Sequence, residues 1–120
     1  MTKLRYVILF VSDMERSVAF YRNVLGWPLT CRSPERTELA AGGTTVALHY
    51  ASKPSGAAAV QGKIAGRCQL GLSVDDVEAF HRDMVARGTL CIQPPTANAF
   101  GAKLAVYADP DGLPFSVAES

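Results

Sequence analysis

The chain carries one supersecondary pattern twice, and this repeat restricts its possible folds more than any other feature. From Tyr6 to Gly26, YVILFVSDMERSVAFYRNVLG reads as a short apolar strand, a Ser/Asp break and an amphipathic helix ending at glycine. From Gln69 to Gly88, QLGLSVDDVEAFHRDMVARG repeats that order. Superposed at an offset of 63, Tyr6 meets Gln69, Val11 meets Val74 and Asp13 meets Asp76. Neither copy can bury its apolar face alone, so two modules are expected, with a site between the halves.

The elements follow from local pattern. Leu4 to Val11 is rich in β-branched and aromatic residues and predicts a strand buried on both faces. Ser12 and Glu15 have capping-box spacing, with Asp13 adding negative charge at the helix start. Met14, Val18, Tyr21 and Leu25 form the apolar stripe, and Gly26 with Pro28 ends the helix. Strands are expected at 29–32, 37–40 and 44–50, with Gly42-Gly43 as a hairpin turn. Residues 51–66, aperiodic and rich in Gly, Ala and Ser, read as the linker between module one (1–50) and module two (67–120). The second module predicts a strand over 69–74, a helix over 76–87 with Val77, Phe80 and Met84 inward, and strands over 90–93, 103–108 and 114–118. A loop is expected over 94–101, and Asp109-Pro110-Asp111-Gly112 reads as a tight turn. The fold class is therefore α+β: tandem βαβββ modules, with both helices on one side of the strands.

Several functions are disfavoured. A net charge of +1 and twelve scattered Lys and Arg residues argue against nucleic-acid binding. No apolar run approaches the roughly 18 residues of a membrane span. The start, MTKLRYVILFVSD, turns polar too early for a signal peptide. Cys31, Cys68 and Cys91 are odd in number and widely spaced, as expected of free thiols in a reducing cytoplasm. The sequence has no nucleophile elbow and no phosphate- or dinucleotide-binding glycine pattern.

Three segments, VSDMERSVAFYRNVLGWPL, LSVDDVEAFHRDMVARG and YADPDGLPFSVAE, together resemble the vicinal oxygen chelate superfamily of glyoxalases, ring-cleaving dioxygenases and bleomycin resistance proteins. The resemblance implies that the modules curl into a cup-like mixed sheet, with helices on its convex side and a ligand on its concave side. It also implies a homodimer, and four metal-ligand positions in the metal-dependent members. Those positions fall on Tyr6, Ala47, Gln69 and Ser116. Alanine cannot coordinate, serine is a poor ligand and tyrosine an unusual one, so no metal or other cofactor is expected.

Strand alternation assigns the concave face. Tyr6, Ile8, Phe10 and His49 are expected there from the first half, and Gln69, Ser73 and Ser116 from the second, with Phe100 and Tyr107 bordering it. Aromatic walls with a few polar groups suit a flat or amphipathic organic ligand. Tyr6 and Phe10 would serve equally well as packing in the sheet centre, and His49 as a structural or rim histidine. His81 is expected on a solvated helix face, and Glu35, Arg36 and Glu38 on an edge hairpin, with Arg32 and Arg36 alternatively meeting an anionic ligand at the rim. The leading expectation is a metal-free binding protein that sequesters a small molecule. The alternatives are a metal-dependent lyase, isomerase or dioxygenase with a non-standard site, and a metal-free enzyme or partner module.

Overall fold

The computed structural model describes residues 2–51, 68–99 and 101–119. The expected linker lies outside the described residues except for Ala51, as does Phe100. The chain divides into two compact units, Met1–Gly62 and Lys63–Ser120. Each unit is a four-stranded mixed sheet with one helical segment, so the α+β class and the tandem βαβββ order both hold.

The first unit runs β1 (Tyr6–Val11), α1 (Met14–Ala19), β2 (Leu29–Arg32), β3 (Arg36–Ala40) and β4 (Thr45–Tyr50). Its sheet order is β1-β4-β3-β2, with β1 parallel to β4 and the other pairs antiparallel. The second unit runs β5 (Leu70–Val74), α2 (Val77–Ala86), β6 (Leu90–Ala97), β7 (Lys103–Ala108) and β8 (Pro114–Glu119), in the order β5-β8-β7-β6. The hairpin before β4 turns on Gly42 and Gly43, both at positive φ, as a primed turn requires. In the turn before β8, the Asp109 carboxylate accepts the backbone N–H groups of Asp111 and Leu113 at 2.9 and 2.8 Å. No helix among the described residues is long and apolar enough to cross a membrane.

In both units alternate strand residues pack against the helix. Leu9, Val11, Leu39, Val46 and Leu48 are buried together with Met14, Val18, Phe20 and Tyr21. Trp27 stacks on Tyr21, with centroids 5.4 Å apart, and covers this core. Val77, Met84, Ala105, Tyr107, Phe115 and Val117 are buried in the second unit. Removing such a side chain, as in Leu48→Ala, costs about 2–5 kcal/mol.

The repeat extends to the helix caps. Asp13 and Asp76 are both N-caps, accepting from the N–H of Arg16 at 3.1 Å and of Ala79 at 3.0 Å. The expected Ser12 cap is therefore corrected: Asp13 accepts the backbone bond, and the Ser12 hydroxyl accepts from the Arg16 guanidinium instead. Both copies end at a glycine of positive φ, Gly26 and Gly88. The first copy takes one residue more to get there, from 13 to 26 against 76 to 88. That extra residue is accommodated by a π-helical turn over Phe20–Val24, which sequence periodicity does not reveal.

Two other expectations change. The first half of the loop expected over 94–101 is strand, because β6 continues through Pro94 and Pro95 to Ala97. Proline is tolerated there because β6 is an edge strand whose register with β7 shifts between Gln93 and Thr96. Arg36 and Glu38 lie on β3, an inner strand, while β1 and β2 form the edges of that sheet.

Asp13→Ala and Asp76→Ala should each lower stability by about 1 kcal/mol in urea unfolding, and the Asn variants by less, because an amide oxygen still accepts the bond. Unchanged midpoints in both alanine variants would contradict the cap assignment.

Candidate functional site

The face of the first sheet turned away from α1 is set by strand register. Parallel pairing places Tyr6 beside Thr45, Ile8 beside Ala47 and Phe10 beside His49. Antiparallel pairing then places Arg36 beside His49 and Glu38 beside Ala47. The structure thus brings Tyr6, Ile8, Phe10 and His49 together, and adds Arg36 and Glu38, which were expected on an edge hairpin.

The polar groups on this face hold one another. The Arg36 Nε and Nη2 both donate to Glu38 Oε2, at 3.2 and 3.1 Å. Arg36 Nη1 donates to His49 Nε2. A guanidinium has no acceptor, so in this contact His49 Nε2 is the accepting atom. The guanidinium carbon lies 5.1 Å from the Tyr6 ring centroid, a cation–π contact, and Phe10 meets His49 edge to face at 6.2 Å. The aromatic rings themselves stay open, with Tyr6 42% and Phe10 56% exposed.

In the second unit, Gly71 pairs with Ser116 and Ser73 with Ala118, all on the face turned away from α2. Ser116 Oγ donates a long bond to the Leu70 carbonyl at 3.4 Å. A Cβ on Gly71 would meet nothing nearer than Ser116 Oγ at 3.7 Å, so this face is open as well as small. Gln69 is exposed and directly precedes β5. Tyr107 is not on this face. It pairs with Phe115 and Cys91 on the helix side, where alternation from Val106 directs it, and is fully buried. A hydrogen bond of 2.9 Å joins its hydroxyl to His81 Nδ1, so His81 is half-buried rather than on a solvated face. Burial, then the negative charges of Cys91 and Glu78, push the Tyr107 phenol up to about 12.

A divalent metal does not fit these residues. Ala47 offers no donor atom and is fully buried, the Ser116 hydroxyl is turned to a carbonyl, and the Tyr6 ring lies under a guanidinium. Among the described residues no three His, Cys, Asp or Glu side chains gather as a ligand set.

A cavity of about 750 Å³ lies elsewhere in the first unit, between the start of α1 and the turn from β2 to β3, and Tyr50 lines it. It shares no lining residue with the open face. Asp13, one of its carboxylates, is already committed to the helix cap.

A sequence model of the Glyoxalase/Bleomycin resistance protein/Dioxygenase superfamily matches residues 3–117. The chain belongs to this superfamily. The superfamily fold is also seen in the solved structures it resembles. TioX from Micromonospora sp. ML1 is 22% identical, with 98% of each chain covered and a TM-score of 0.77. A protein of unknown function from Agrobacterium tumefaciens str. C58 is 26% identical, with 100% of this chain and 94% of that one covered and a TM-score of 0.75. A lactoylglutathione lyase from Agrobacterium tumefaciens is 19% identical, with 100% and 95% covered and a TM-score of 0.75. No protein of curated function matches the sequence. The four positions that the family resemblance suggests as metal ligands keep one backbone relation in both copies. Ala47 sits beside Ile8, two residues after Tyr6, as Ser116 sits beside Gly71, two after Gln69.

The Tyr107 phenol gives a titration test. Its folded value lies above the ordinary 10.0, so its share of stability is complete below pH 10 and is lost as pH rises through about 12. Tyrosinate absorbance should show one late transition near pH 12 that Tyr107→Phe removes. A wild-type titration finished well below that pH would contradict the buried placement.

Proposed function

We propose that the chain is a binding protein that takes up a planar aromatic or amphipathic small molecule on the open face of its first sheet, without metal and without turnover. One observation carries this reading: two exposed aromatic rings, Tyr6 and Phe10, share a sheet face with a hydrogen-bonded Arg36–Glu38–His49 set. Aromatic rings left in water cost free energy that a stacked ligand recovers, and fixed polar groups beside them supply orientation.

The chemistry of the face supports binding over turnover. The lone pair of His49 Nε2 accepts from Arg36, so it is not free to take a substrate proton. A glyoxalase-type metal reaction needs donors that Ala47 does not have. The superfamily name includes bleomycin resistance proteins, and a protein that sequesters its ligand has no need of a metal centre.

The test is thermal unfolding with 2-acetylnaphthalene, on protein with and without prior chelator treatment. Ligand at a hundredfold excess over its dissociation constant should stabilise the fold by about 2.7 kcal/mol. Chelation should leave that gain unchanged, and Phe10→Ala and Tyr6→Ala should reduce it. A gain that is absent, that disappears with chelator, or that is equal in both variants would contradict the proposal.

A further inference from the structure

Resting on that reading, we propose that Arg36 selects ligands carrying a neutral acceptor oxygen, such as a ketone, quinone or amide carbonyl, attached to the aromatic system. A guanidinium has five N–H donors. In Arg36, Nε–H and one Nη2–H go to Glu38 and one Nη1–H goes to His49, which leaves one N–H on each Nη atom. These two donors sit on a side chain that is 32% exposed, on the face that also presents Tyr6 and Phe10. Glu38 and His49 fix the fork from two neighbouring strands, so its orientation is set before any ligand arrives.

The charge balance decides which oxygen fits. Glu38 already compensates the guanidinium, and His49 accepts from it. A carboxylate ligand would bring a second negative charge beside Glu38 and would have to shed its own hydration. A carbonyl oxygen accepts the free N–H groups without adding charge. The Arg36 guanidinium covers one face of Tyr6, which leaves Phe10, the more exposed ring, as the main stacking surface.

Equilibrium binding of 2-acetylnaphthalene, 2-naphthoate and 2-ethylnaphthalene, three probes of similar shape, tests the inference. Wild type should bind the ketone roughly tenfold more tightly than the ethyl compound, the gain expected of a hydrogen bond to a charged donor. It should also bind the ketone more tightly than naphthoate. In Arg36→Met the ketone and the ethyl compound should bind equally. Glu38→Gln removes the compensating charge, so naphthoate should gain on the ketone; this holds as a check even if Arg36→Met does not fold. Equal binding of ketone and ethyl compound in wild type would overturn this inference alone, provided Phe10→Ala still weakens both. Tightest binding of naphthoate by wild type, or a ketone preference kept in Arg36→Met, would also overturn it. Failure of all three probes to bind would remove the open-face reading and this inference with it.

Discussion

The parallel pairing of β1 with β4 is the constraint on which the candidate site depends. With Ile8 held beside Ala47, Tyr6 and Phe10 fall into line with Thr45 and His49, and the antiparallel step to β3 brings in Arg36 and Glu38. A slip of one residue in this pair would turn one strand over relative to the other, exposing either Leu9 of β1 or Val46 and Leu48 of β4. The apolar row packed on α1 makes that slip costly, since Leu39 and Leu48 are fully buried. The core of the unit thereby fixes the position of the polar groups on the opposite face.

The duplication shows what was kept and what diverged. Both copies retain the parallel strand pair, an aspartate N-cap and a positive-φ glycine after the helix. These are backbone requirements, met by few residue types. The open faces are under no such restriction. The first is aromatic and charged, whereas the second is small, with Gly71, Ser73 and Ser116. Glu119 adds another asymmetry: it accepts from the Val77 N–H at 3.0 Å, whereas the register-equivalent residue of the first copy is Tyr50.

Much of the fold was legible because two signals, period-two alternation and cap chemistry, act locally. Alternation placed Tyr6, Ile8, Phe10 and His49 on one face, and the register bears out that shared orientation. Locality is also where sequence reasoning stopped. Tyr107 looked available in the sequence, but its side of the sheet depends on the pairing of β7 with β8, and its partner His81 is contributed by a helix 26 positions away. Arg36 was read as an edge residue because strand order within a sheet is not written in a single hairpin. The prolines of β6 looked like a loop because the tolerance of an edge strand for missing N–H groups appears only once that order is known. The π turn left a trace, the one-residue difference between the two helix repeats.

The central claim is that ligand binds on the aromatic, Arg36-bearing face of the first unit. Its most direct test is residue-resolved nuclear magnetic resonance during titration with 2-acetylnaphthalene. The largest shift changes should map to the rings of Tyr6, Phe10 and His49 and to the Ile8 methyl groups. Changes centred on Tyr50 and Glu35 at the other cavity, with the four open-face residues unmoved, would contradict it.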